Sequence, residues 1–120
     1  MQAYTLVVGA SANPERYAYK AIQILRAHQH TVKAYGLREA WVDDVHIQTA
    51  LPEGTSPDTI TLYVGPDRQQ TLIAPLLALK PRRIIFNPGT ENPDFIRQAQ
   101  QNGIETEIAC TLVLLSTGQY

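Results

Sequence analysis

Leu6-Val7-Val8-Gly9-Ala10-Ser11-Ala12-Asn13-Pro14-Glu15-Arg16-Tyr17 decides the fold, because a short apolar run stops there at a glycine and gives way to a turn-rich loop. Leu6 to Val8 has the length and β-branched content of a strand buried on both faces, and parallel sheets are built from such strands. After the loop, Ala18, Ala21, Ile22 and Leu25 recur at the spacing of a helix with one buried stripe. Thr31 to Tyr35 then alternates with period two, so residues 1–35 read as a β-α-β unit.

The same alternation continues downstream. Thr59 to Val64 is a strand stopped by Gly65-Pro66, and Leu72, Ile73, Leu76 and Leu77 form the stripe of a second helix that ends at Lys80-Pro81. Pro75 lies inside that stripe; it lacks a backbone donor, which predicts a kink or two short helical pieces. Arg83 to Asn87 is a further strand. Asn92-Pro93 starts a helix with Asn as N-cap and Pro at the first position, and Gly103 stops it. Glu105 to Ile108 reads as a last strand, and the apolar run Ala109 to Leu115 as a short helix. Residues 36–58 carry Gly36, Pro52, Gly54 and Pro57, and only a short edge strand around Val45 to Ile47 is assigned there. The expectation is an α/β fold: one domain over residues 1–120, with an open, mostly parallel sheet of about five strands in the order 2-1-3-4-5 and helices on both faces.

Composition narrows the function. Ten basic side chains nearly cancel eleven acidic ones, and the formal net charge of -1 argues against a nucleic-acid binder that neutralises phosphates over a broad face. One Cys excludes an internal disulfide, and no apolar run reaches the roughly 18 residues of a membrane span. The first residues lack the basic segment of a signal peptide, so the expected location is the cytoplasm. His28 and His30 stand two apart at a helix end with no Cys or carboxylate beside them; they read as surface loop, and no metal site is expected. Trp41 reads as an anchor of its loop to the core, and Cys110 as a buried, unreactive small hydrophobe.

Ligands of open α/β sheets bind outside the carboxyl ends of the strands, where the chain order reverses. In the order 2-1-3-4-5, the loop after the first strand faces the loop Val64-Gly65-Pro66 across that point, with Asn87-Pro88-Gly89-Thr90-Glu91 beyond. The first loop sits where dinucleotide enzymes carry their glycine fingerprint, but Ser11 and Pro14 occupy the second and third glycine positions. No Asp or Glu closes the second strand to hold a ribose hydroxyl. The anion logic survives: Gly9 permits close backbone approach, Ser11 offers a hydroxyl, and the following helix terminus presents free N–H groups. Arg16 and Lys20 add positive charge, though four residues apart at a helix start they also suit a solvated face.

Taken together, G-A-S-x-N-P-x-R-Y, T-L-Y-V-G-P, R-I-I-F-N-P-G-T-E-N and A-C-T-L-V-L-L resemble the small CoA-binding proteins. These are relatives of the CoA-binding domain at the start of the succinyl-CoA synthetase α chain. The resemblance spans nearly the whole chain and implies a Rossmann-like fold with CoA or an acyl-CoA as ligand. It implies that Gly9, Ser11, Asn13, Arg16 and Tyr17 cradle the nucleotide phosphates with Lys20 behind them, and that Tyr35 and Gly36 sit by the adenosine. Val64, Gly65 and Pro66 would flank the pyrophosphate, while Asn87, Pro88, Gly89, Thr90 and Glu91 would line the pantetheine side. The chain departs from the family's V-x-P-V-N-P with Lys33-Ala34-Tyr35-Gly36-Leu37-Arg38. The synthetase's phosphohistidine lies in a separate domain outside this stretch, so its chemistry is not implied. With mostly Ser, Asn, Thr, Arg and Gly in the three loops and Glu91 the exception, the expected role is a non-catalytic or regulatory binding module. The alternatives are an NAD(P)- or nucleotide-dependent enzyme, and an interaction subunit with a vestigial cleft whose run Leu112 to Leu115 docks a partner or a second copy.

Overall fold

In the computed structural model, which describes residues 3–120, the opening apolar run becomes β1 (Thr5–Val8), buried along its whole length. It lies between β2 (Val32–Tyr35) and β5 (Thr59–Leu62), parallel to both. β6 (Arg83–Phe86) and β7 (Glu105–Ile108) continue in parallel on the far side of β5. The five strands expected from the sequence therefore take the expected order.

Two more strands correct the expected number. β4 (Val45–Gln48) pairs with β2 in parallel and carries β3 (Ala40–Val42) antiparallel on its outer side, giving a seven-stranded sheet in the order β3-β4-β2-β1-β5-β6-β7. β4 is thus an interior strand, and β3 is the edge. The Asp43-Asp44 turn between them holds Asp43 at φ 52°, a conformation Asp tolerates better than most residues. Within the hairpin Val42 faces the core, so period-two alternation turns Trp41 outward. Trp41 is 63% exposed and stacks on His46 at 4.6 Å between ring centroids, rather than anchoring its loop to the core.

Helices cover both faces. On one, Leu6, Val8, Ile60, Leu62, Ile84 and Phe86 pack under α3 (Ile73–Ala78) and α4 (Pro93–Gln101) through Ile73, Leu76, Phe95 and Ala99. On the other, Val7, Ala34, Val42, Val45 and Ile47 pack under Ala18, Ile22 and Leu25 of α1 (Tyr17–Ala27) and Leu115 of α5 (Thr111–Ser116). The α1 stripe is the one its spacing predicts. Pro75 falls in the first turn of α3, where a backbone N–H has no partner within the helix, so it starts that helix instead of kinking it. A separate four-residue piece, α2 (Pro66–Gln69), precedes it. Asn92 caps α4 as expected, accepting from the N–H groups of Asp94 and Phe95.

The apolar run at the end forms a helix, but it is not a free docking face. Leu115 is buried on α1, Leu112 and Leu114 are half-buried, and Val113 is the exposed member. Cys110 is half-buried at the N-cap of α5 rather than fully buried. His28 is exposed as expected, but His30 is half-buried, its ring 4.8 Å from that of Tyr120.

Candidate functional site

The in-register parallel strands β2, β1, β5 and β6 end at Tyr35, Val8, Leu62 and Phe86, so the loops after them leave one edge of the sheet. The backbone then locks these loops together. Gly9 and Ala10 both donate to the carbonyl of Tyr35, at 3.0 and 2.9 Å, while Tyr63 donates to that of Val8 at 2.8 Å. Gly9, at φ 91°, lies so close to the third-strand loop that a Cβ there would be 2.7 Å from Val64 Cγ2 and 2.9 Å from the Tyr63 carbonyl. Gly36 is equally tight, since its Cβ would be 2.4 Å from the Ala10 carbonyl oxygen. Glycine is required at both places by contact, and at Gly9 by backbone conformation as well.

A third link was not legible in the sequence. Gln69 of α2 is fully buried and donates to the carbonyls of Val64 at 2.7 Å and Thr90 at 2.8 Å, while accepting from Asn92 Nδ2 at 3.0 Å. One carboxamide thereby ties the loop after β5 to the loop after β6. A lone Gln in a four-residue helix gives no periodic or motif signal, so only the fold reveals it.

Among the residues that the resemblance assigned, the structure separates exposed loop positions from internal clamps. Ser11 Oγ accepts from Asn13 N, and Asn13 Oδ1 accepts from Glu15 N, both at 3.0 Å, so these side chains shape the first loop. Arg16, Tyr17 and Lys20 are exposed, with the Lys20 ammonium 5.2 Å from the Tyr17 ring centre. Val64 is buried against Gly9, and space around Gly65 is open. Pro66, Pro88 and Gly89 are exposed on the rim. Asn87 is buried, donating to Thr61 Oγ1 and the Leu62 carbonyl and accepting from Thr111 N. Thr90 is also buried, its hydroxyl on the Asn87 carbonyl. Tyr35 is half-buried against the α3 and α4 side of the core, and Gly36 is buried. Exposed Glu91 accepts from the Gly89 N–H at 2.7 Å. Tyr63 has its hydroxyl enclosed without a well-formed hydrogen bond among the described residues, and burial pushes its pKa up to about 12 against the smaller opposing effect of the Thr111 and Thr61 hydroxyls.

Charge is distributed unevenly between the two edges. At the amino edge, Arg82 lies 2.8 Å from Asp58 and Arg83 lies 3.2 Å from Glu107. At the carboxyl edge, Arg16, Lys20, Arg38 and Arg68 have no ion pair among the described residues. Arg16 is the N-cap of α1, in extended backbone, with no side-chain oxygen on the first N–H groups and no acidic residue in the first turn. That start is electrostatically costly, because unsatisfied donors and a cation share the positive end of the helix dipole. An anion bound there relieves both. A pyrophosphate beside open, glycine-bearing rims therefore fits the residues present. Among the described residues no cluster suits a metal, and no helix is long and apolar enough to cross a membrane.

Comparison with known proteins gives the fold and the family. A crystal structure of an uncharacterized protein is 40% identical and superposes with a TM-score of 0.94, covering 100% of this chain and 99% of that one. A protein from Thermus thermophilus, 21% identical with a TM-score of 0.82 over 99% and 92% of the two chains, has the same fold. So does a hypothetical protein from Pyrococcus horikoshii OT3, 20% identical with a TM-score of 0.80 over 94% and 81%. No curated protein matches the chain. The model of the CoA binding domain family matches residues 4–116, nearly the full sequence, and the chain belongs to that family.

Proposed function

We propose that this protein is a CoA or acyl-CoA binding module that acts without turnover, in a regulatory role, and holds the nucleotide's pyrophosphate at the start of α1. The observation that carries the reading is the uncapped α1 terminus with Arg16 at its N-cap position. A helix start selected for stability alone favours Ser, Thr, Asp or Asn there, as Asn92 shows on α4 of the same chain. Gly9 brings the first loop against Val64, and in this reading main-chain amides of the α1 turn, the Arg16 guanidinium and the open Gly65 rim form the walls of one cleft. Lys20 adds a point charge one turn along, and the rim of Pro88 and Gly89 bounds the cleft where the pantetheine arm would leave.

The regulatory reading follows from the chemistry of the rims. A general acid or base works when burial or neighbours bring its proton affinity near the working pH. The loops supply Ser, Asn, Thr, Gly and Arg, and the Glu91 carboxylate is engaged by the Gly89 N–H. Thermal denaturation with CoA tests the proposal. A ligand at 100 times its dissociation constant adds roughly 2.7 kcal/mol of stability, so a Tm that stays flat in millimolar CoA would refute it. Greater stabilisation by NAD than by CoA would transfer the site to the dinucleotide reading.

A further inference from the structure

The amino edge of the sheet carries a polar pocket of its own, on the side opposite the loops that follow β1, β5 and β6. Its volume is about 170 Å³, and Thr5, His30, Asp58, Arg82, Arg83 and Tyr120 contribute to its walls. Parallel register builds it: Thr5 pairs with Thr59 and Thr59 with Arg83, so the first residues of three strands stand in one row. Arg83 is the unusual member of that row. Its side chain is only 6% exposed, and an arginine so enclosed needs partners for its charge and for the donors it takes from water.

Those donors are not all used. Nε donates to Thr59 Oγ1 at 3.1 Å, and Nη1 to Glu107 Oε1 at 3.2 Å. The Tyr120 ring covers the guanidinium, its centre 4.7 Å from the central carbon, and the Tyr120 hydroxyl is hydrogen-bonded to Thr5 Oγ1. His30 meets the same ring edge-on. Nη2 of Arg83 donates to no acceptor among the described residues. The carboxylate in the lining cannot serve it, because Asp58 already takes two bonds from Arg82 and one from the Thr59 hydroxyl. Two guanidinium groups against that one carboxylate leave the lining with one net positive charge. Glu105 and Glu107 reach the same arginines from β7, outside the lining and partly open to water, which screens them.

A pocket with a spare buried donor, an excess of positive charge and no free acceptor suits an anion. The geometry points to a second ligand site at this edge, taking a small carboxylate whose oxygen accepts from Arg83 Nη2. Water takes about 30 Å³ per molecule in the liquid, so the pocket suits a ligand of about five heavy atoms, the size of propionate. None of the residues in the nucleotide reading takes part.

Two-dimensional amide NMR of the full chain at constant ionic strength tests this with sodium propionate, its neutral isostere propionamide, and sodium chloride. Propionate should give saturable shifts centred on Thr5, His30, Asp58, Arg83 and Tyr120, with a midpoint in the millimolar range. Propionamide and chloride should bind about tenfold more weakly or not at all, the difference a charge-assisted hydrogen bond makes. Arg83→Lys keeps a cation beside Glu107 but removes Nη2, and should raise the propionate midpoint about tenfold. The comparison of the three probes on the wild type decides the matter even where that variant does not fold. No saturable response to propionate, an equal response to propionamide or chloride, or a folded Arg83→Lys protein with the wild-type midpoint would overturn the inference. CoA binding stands or falls independently of each of these results.

Discussion

Replacing Gly9 by alanine should be strongly destabilising. At φ 91° a side chain is strained, and the new Cβ would sit 2.7 Å from Val64 Cγ2 and 2.9 Å from backbone atoms of Tyr63. Neither neighbour can give way easily, because Val64 is buried and Tyr63 is backbone-bonded to β1. Strain of about 1 to 3 kcal/mol for an L-residue at positive φ adds to an overpacking cost of similar size. The expected loss is about 3 kcal/mol or more. Unfolding entropy of about 2.1 cal/mol/K per residue over 120 residues converts this to a fall in Tm of about 12 °C. The assay is thermal unfolding followed by circular dichroism, with Gly65→Ala as the paired control. Gly65 has φ −66° and open space around it, so its alanine variant should melt within a few degrees of wild type. Gly9→Ala should also lose CoA affinity, since the wedge parts the first loop from Val64. A Gly9→Ala protein melting within 3 °C of wild type, as judged against the roughly 12 °C expected, would refute the close contact on which the cleft depends.

Other consequences are open to simple measurement. Gln69→Leu keeps the volume but strands the buried carbonyls of Val64 and Thr90, so it should lower stability by about 3 kcal/mol in denaturant titrations; an unchanged midpoint would mean the two loops are not joined there. The Arg82 guanidinium hydrogen-bonded to Asp58 holds that carboxyl below its ordinary range, so its contribution is complete above about pH 4 and fades as pH falls through the lowered folded-state value. Asp58→Asn should accordingly flatten the acid limb of the stability profile, and parallel curves would contradict the pairing. Burial lowers the pKa of His30, so the fold favours its neutral form; stability should be full above about pH 6.5 and decline below it, a slope that His30→Gln should reduce.

The five-strand core was readable because β1, β5 and β6 are short runs closed by Gly or Pro and followed by a helical stripe, and β2 and β7 extend the same alternation. The β3–β4 hairpin was obscured by chemistry rather than by irregularity. Its turn is two aspartates, its edge strand buries only Val42, and its tryptophan faces outward, so neither alternation nor composition marked it. The candidate site was legible as a set of loops, because strand order alone brings their ends to one edge. Division of labour within those loops was not. Asn87, Thr90 and Gln69 look like ligand donors in one dimension, yet their hydrogen-bonding groups are satisfied by carbonyls, hydroxyls and an amide brought from distant segments.

On the proposed reading α1 begins badly as a helix in order to receive a phosphate, and Arg16→Ser tests this in one experiment. Melting the variant and the wild type with and without millimolar CoA should give a variant that is more stable without ligand, by about 1 kcal/mol from the restored cap, but whose CoA-induced shift is largely lost. A variant that is destabilised without ligand, or that keeps the full wild-type shift with CoA, would contradict the account.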